Sequence, residues 1–234
     1  MSTSCPIAEC QHCPTRTFCV ARFIDEEKLS ELPTLFHVGC AYHAGGYLFT
    51  AGESVGDQFH IRSGMIKTYF INSEGSEFVT GFYLPGEVVQ QAGLEGVHLQ
   101  SAVALDTSTV CRLNIRHLKK TASKEVAMAL CEHAESLEVQ TLSHQLNLKS
   151  GSAASRFAGF CTQMADRLHK QRRAAHHIPT PMTRTDIASY LGLTLESLSR
   201  VMSKLKTTGI IHAEKTFIEI KKPETLAMLA THLS

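Results

Sequence analysis

Three thiols stand within ten residues near the start of the chain. The stretch "ECQHCPTRTFC", residues 9–19, sets Cys10, Cys13 and Cys19 at C-x2-C-x5-C spacing. Thiolates this close together suit soft metals, which take four such ligands as zinc or as an iron–sulfur cluster. A structural zinc site normally shows two C-x2-C knuckles or Cys/His pairs, whereas here one knuckle is followed by a single cysteine. His12 lies between Cys10 and Cys13, too close in sequence to both to share a metal with them in good geometry. Cys5 is a fifth nearby thiol. Iron–sulfur ligands commonly share a short loop and take one distant partner. On the residues alone both metals stay open. Cys40, Cys111, Cys131 and Cys161, each taken singly, read as small buried hydrophobes.

A second stretch carries a different chemistry. In "MTRTDIASYLGLTLESLSRVMSKLKTTG", residues 182–209, Thr183 and Asp186 form a capping-box-like helix start. Ile187, Ala188 and Leu191 supply its apolar side, and Gly192 permits a tight turn. Thr194 caps a second helix whose buried stripe is expected to be Leu195, Leu198, Met202 and Leu205. This is a helix-turn-helix pattern. Glu196, Ser199 and Arg200, at i, i+3 and i+4, project together from the polar face near the second helix's start. Arg donates twice to guanine O6 and N7, Glu accepts from cytosine N4, and Ser meets a thymine edge. Arg184, Thr185 and Thr194, with Lys204 and Lys206 further along, suit contacts to DNA, the cations to phosphates above all. After Gly209, "IIHAEKTFIEIKK" alternates and turns near Glu214–Lys215 as a β-hairpin wing.

The elements between these stretches must position them. From Pro33 to Leu113 short runs such as "YLFTAG", "QFHIRSG", "MIKTYFI", "FVTGFYLPG" and "TSTVCRLNI" are closed by Gly, Asn, Asp or Pro. That is the texture of short antiparallel strands, with "NSEGSE" (72–77) as a hairpin loop. Residues 121–149 contain no Gly or Pro and read as one long helix. Leu130, Ala134, Leu137, Thr141, His144 and Leu148 form an imperfect heptad seam along it, so the helix is expected to pair with that of a second copy. A further helix is expected from Ala153 to Arg173.

Charge follows the same division. Residues 1–150 hold 11 Lys/Arg against 16 Asp/Glu, and residues 151–234 hold 12 against 6. A basic C-terminal part behind an acidic front is where a polyanion would bind. No run of eighteen apolar residues and no signal-peptide pattern occurs, so neither a membrane nor export is expected and the protein is expected to be cytoplasmic. No G-x-S-x-G, P-loop or H-E-x-x-H motif occurs, and an enzyme is not expected.

The order of β-roll, long helix and winged helix-turn-helix resembles the CRP/FNR transcription regulator superfamily over essentially the whole chain. Within it the oxygen-responsive FNR branch is the more similar, through the N-terminal cysteines, "IRSGMIKTY", "TGFYLPGEVV", "STVCRL" and the E-x-x-S-R pattern in "YLGLTLESLSR". The fold class implied is α+β: an N-terminal antiparallel β-roll of cyclic-nucleotide-binding type, a long dimerisation helix and a C-terminal winged helix-turn-helix. The domains would be a cysteine-rich arm (1–22), the roll (23–120), the helix (121–150) and the DNA-binding part (151–234).

The resemblance implies a [4Fe–4S] cluster on Cys10, Cys13, Cys19 and Cys111, a homodimer on double-stranded DNA with TTGAT half-sites in a palindrome, and contact with RNA polymerase, for which "NSEGSE" is a candidate loop. Pro14 and Phe18 replace residues that in the family are often small and polar, or aliphatic, and are expected to tune how readily the cluster is lost. Pro14 also removes one N–H that could bond a cluster sulfur. Glu138 and Ser143 stand where the FNR branch carries an apolar residue and an Asp that helps keep the cluster-free protein monomeric, so cluster control of pairing could differ here. Gln91 and Gln100 occupy the places of the Glu and Arg that hold a cyclic nucleotide. Neutral amides do not offset its phosphate, and no cyclic nucleotide is expected. The alternative is a regulator of the same family with zinc, haem or a small molecule in place of an oxygen-labile cluster. His43, His60 and His98 are the haem candidates in the roll.

Overall fold

Every quoted β-type run becomes a strand. The computed structural model describes residues 10–27, 36–89, 93–94, 96–114, 123–132, 151–171 and 173–230. They fall into two units, Met1–Glu138 and Val139–Ser234.

In the first unit the strands are β1 (Phe36–Tyr42), β2 (Tyr47–Phe49), β3 (Asp57–Ser63), β4 (Ile66–Ile71), β5 (Glu77–Tyr83), β6 (Gly93–Leu94), β7 (Val97–His98), β8 (Ser101–Ala104) and β9 (Ser108–Asn114). They form antiparallel sheets in the orders β1-β9-β3 and β2-β8-β4-β5, with β6-β7 as a small ribbon. β-branched and aromatic residues recur along these strands, and the two larger sheets bury side chains in a shared core. Phe49, Phe59, Ile61, Ile66, Val89, Ala102 and Val110 make that core. The β4–β5 loop is closed by Asn72, whose Oδ1 accepts from the N–H groups of Glu74 (3.0 Å) and Ser76 (2.8 Å). Beside this loop Phe70 and Phe78 stack with centroids 5.1 Å apart and, with Ile71, stay exposed.

A second cluster lies on the other side of the β1-β9-β3 sheet. There Val20, Ala21 and Ile24 of the N-terminal arm pack with Phe36, Leu113, Val126 and Ala129. Residues 124–132 are helical. Val126, Ala129 and Leu130 share one face of that helix by their i, i+3, i+4 spacing. Leu130, expected on the pairing seam, packs partly against this cluster within its own chain. Ala134, Leu137, Glu138, Thr141, Ser143, His144 and Leu148, together with Gln91, Cys5 and the Cys40 side chain, lie outside the described residues.

The second unit starts with α2 (Ala153–Lys170), counting 124–132 as α1; Ser152 caps it by accepting from Ser155 N–H at 3.3 Å. Next come β10 (His177–Pro179), α3 (Arg184–Tyr190), α4 (Leu195–Thr207), β11 (Ile211–Ala213), β12 (Phe217–Ile220) and α5 (Pro223–Ala230). The expected capping box is present: Asp186 N–H donates to Thr183 Oγ1 (3.0 Å) and Thr183 N–H donates to Asp186 Oδ2 (2.9 Å). The wing is a three-stranded sheet in the order β10-β12-β11.

Four expectations change. α2 ends at Lys170 rather than Arg173, because the chain turns at Gln171 and Arg173 N–H donates back to Leu168 at 3.0 Å. Leu195 is 48% exposed rather than buried. It is the first residue of α4, and helical side chains lean toward the N-terminus, so it points beyond the packed turns that bury Leu198, Met202 and Leu205. Cys131 is exposed, while Cys161 is fully buried as expected. α5 and β10 were not anticipated; Pro223 at the first helical position is the signal that marks the former.

Candidate metal centre and nucleic-acid interface

The arm is a succession of tight turns. Cys13 N–H donates to Cys10 C=O (3.4 Å), Arg16 N–H to Cys13 C=O (3.0 Å), Cys19 N–H to Thr15 C=O (2.9 Å) and Arg22 N–H to Cys19 C=O (3.0 Å). These turns wind the three cysteines around a small volume. Cys19 Sγ also accepts from Ala21 N–H at 3.4 Å, and Cys13 Sγ lies 3.1 Å from Thr15 Oγ1. Phe18 lies over the loop before β6, against Gly86, whose φ of 86° and lack of a Cβ leave room for the ring. Gly86 and Glu87 are in turn bonded to the β3 backbone at Ile61, at 2.7 and 2.9 Å.

The strand supplies the fourth thiol. Cys111 sits in β9, the central strand of its sheet, paired with Val38 on β1 and His60 on β3. Cys10, Cys13, Cys19 and Cys111 line one half-enclosed pocket with Thr15, Val20, Ala21, Phe36, His60, Ile61 and Arg62. Arm and strand cysteines, 92 to 101 residues apart in sequence, therefore present four soft donors to one space. Among the described residues no three His, Cys, Asp or Glu side chains converge as a single-ion site. Pro14 stays in the arm turns with no donor to offer.

Burial, followed by repulsion from Cys19 and Cys13, pushes the Cys10 thiol up to about 12 from an ordinary value of 9.0, against a lowering from Arg62. Burial likewise carries Cys111 up to about 12, with Arg62 opposing it, and raises Cys19. Without metal these thiols are neutral at pH 7, and a metal must displace their protons. The sign of the pH effect follows. A folded-state value above the unfolded one gives stability that is complete below pH 9 and is lost as pH rises toward 12. The metal-free wild type should thus lose more melting temperature between pH 9 and 11 than a Cys10→Ala/Cys111→Ala variant. Parallel curves would show that these thiols do not titrate with folding.

The roll histidines divide as surface and core. His43 is exposed. His60 Nε2 lies 3.2 Å from Gln58 Oε1, and His98 stacks on Phe49 at 4.0 Å, both buried. Gln100 is buried and accepts from Thr80 Oγ1 at 2.7 Å.

At the other site, Thr194 caps α4 by accepting from Ser197 N–H at 3.1 Å. Glu196 and Arg200 form an i,i+4 ion pair with side chains 73% and 76% exposed, and Ser199 is exposed beside them. Arg184, Thr185, Lys204 and Lys206 are exposed as well, and the Arg184 guanidinium also contacts the Met202 sulfur. Arg156 is a residue that sequence reasoning missed. From α2 its Nη1 donates to the carbonyls of Leu191 (3.3 Å) and Gly192 (3.4 Å), fixing the turn between the two helices. Gly192 adopts the left-handed φ of 61° that this turn takes. Arg156 thus braces the turn before α4, whose polar face stays exposed.

Residues 155–229 match the Crp-like helix-turn-helix domain, and residues 40–125 the cyclic nucleotide-binding domain. Electron transport regulator A of Shewanella oneidensis is 30% identical over 98% of this chain and 92% of its own length. The fumarate and nitrate reduction regulatory protein of Escherichia coli K12 is 31% identical over 99% of this chain and 93% of its own. The structure of FixK2 from Bradyrhizobium japonicum superposes with a TM-score of 0.74 at 27% identity, covering 84% of this chain and 99% of that one. No described helix is long and apolar enough to cross a membrane.

Proposed function

Because this chain belongs to the CRP/FNR family of DNA-binding transcription regulators, we propose that it senses oxygen through a [4Fe–4S] cluster held by Cys10, Cys13, Cys19 and Cys111. The observation that carries this reading is the meeting of three arm thiols and one strand thiol in a single pocket. Such a cluster needs four thiolates and, when bound, supplies an oxygen-labile tie between its ligands.

The protein's own residues do the rest. Cys10, Cys13 and Cys19 draw the arm onto β9 at Cys111, and the turn that follows Cys19 seats Val20, Ala21 and Ile24 on Val126 and Ala129. Helix 124–132 thus rests on the arm it shares a core with. A docked arm favours pairing of the 121–150 segments of two copies, and a released arm removes that support. The paired copies present two α4 helices about 34 Å apart to a TTGAT-type palindrome, with Arg200 on guanine, Glu196 on cytosine and Ser199 on thymine. The exposed 72–77 loop with its apolar flank of Phe70, Ile71 and Phe78 suits contact with RNA polymerase. A cytoplasmic location goes with this role.

The test is anaerobic purification followed by iron and sulfide counts, visible absorption and operator binding. The expected result is four irons and four sulfides per chain, absorption that bleaches in air, and loss of operator binding with it. A colourless zinc protein that binds DNA equally with and without oxygen would sink the proposal.

A further inference from the structure

We infer that Arg62 is the counter-charge of the four-thiol pocket: its guanidinium faces the thiolates and offsets the negative charge they acquire on binding metal. The inference rests on the reading of that pocket as a metal–thiolate site. β3 and β9 run in register through Phe59↔Arg112, His60↔Cys111 and Ile61↔Val110, and the next pair is Ser63↔Thr109. Arg62 is therefore the extra residue of a bulge, without a cross-strand partner, and bulges re-aim the side chain they carry. This one lines the pocket wall beside Cys111 and the arm cysteines.

The neighbouring cations are engaged elsewhere. Arg112 pairs with Asp57 at 2.7 Å, Lys67 with Glu77 at 3.3 Å and Arg16 with Glu26 at 3.6 Å, while Arg22 lies over the Phe23 ring at 4.3 Å. Among the described residues Arg62 pairs with no carboxylate, although it is half-buried. A half-buried arginine with no carboxylate partner leaves a cation on the pocket wall that an anion in the pocket would answer. Four thiolates around a divalent metal, or around a cluster core of charge +2, carry a net charge of −2, and that anion answers it.

The test compares wild type with Arg62→Gln, Arg62→Met and Arg62→Lys in two assays, each variant first checked for a cooperative melt. In the first, zinc affinity of the metal-free proteins is measured by competition with a chelator. Arg62→Gln and Arg62→Met should bind zinc about 3- to 10-fold more weakly, the effect of one charge partly screened by solvent, and Arg62→Lys should stay within about 2-fold of wild type. In the second, iron–sulfur-reconstituted proteins are exposed to air. The neutral variants should bleach faster by a similar factor, because oxidation is easier without a nearby cation. Zinc affinities equal to wild type in both neutral variants would overturn the inference. If no iron and sulfide assemble but zinc weakens as expected, Arg62 stands and the cluster reading falls.

Discussion

Changing Cys111 to serine should empty the pocket of iron and sulfide, to about a tenth of the wild-type content or less, while the roll stays folded. Serine is nearly isosteric in the strand and keeps the backbone pairing of Cys111 with Val38 and His60. Its hydroxyl, however, does not ionise under conditions where a metal displaces a thiol proton. With one donor gone, the three arm thiols no longer have a partner on the sheet. Val20, Ala21 and Ile24 would then rest on Val126 and Ala129 by apolar contact alone, so operator binding under anaerobic conditions should fall toward the aerated level. Cys161→Ser is the matched control. That thiol is fully buried in the other unit, so an unpartnered hydroxyl there should cost about 1–3 kcal/mol of stability and leave the iron count unchanged. The two variants should thus separate: metal lost with little change in melting for one, melting lowered with metal retained for the other. A full iron complement in Cys111→Ser would show that another thiol completes the site.

The ease with which this site could be read from the sequence varied with how local each feature was. The capping box of Thr183 and Asp186 and the cap at Thr194 depend on residues three apart, and both formed as read. The strands were visible because each is a short β-branched or aromatic run closed by a turn residue, as Asn72 closes β4–β5. Leu195 failed because periodicity assigns a face to a residue without knowing where the neighbouring helices end. Cys111 had no local signal: a lone cysteine in an apolar strand looks like core, and only family resemblance joined it to the arm. Arg62 and Arg156 were invisible for a related reason. One acts through a bulge created by the pairing of two strands, the other through a contact from α2 to a turn 35 residues on. Both roles belong to tertiary geometry, which spacing along the chain does not encode.

Replacing Arg200 with alanine should weaken binding to the cognate palindrome by about 10- to 100-fold, since a bidentate arginine–guanine contact discriminates by about 1–3 kcal/mol. Most of that loss should be specificity: the variant should tolerate replacement of the contacted guanine that the wild type rejects. In the free protein Arg200 pairs with Glu196, both more than 70% exposed. An ion pair so open to water contributes little to folding, so the melting temperature should not move. Arg200→Lys should recover little, because an ammonium keeps the charge but not the planar fork that meets O6 and N7 together. Lys204→Ala should behave differently, weakening all sequences alike and lowering the salt dependence by about one phosphate contact. Titrations of each variant on cognate, guanine-substituted and unrelated duplexes at several salt concentrations separate these outcomes. If Arg200→Ala lost affinity uniformly while keeping its preference for the guanine, Arg200 would be a phosphate contact, and the reading face of α4 would have to be sought at Glu196, Ser199 and the exposed Leu195 instead.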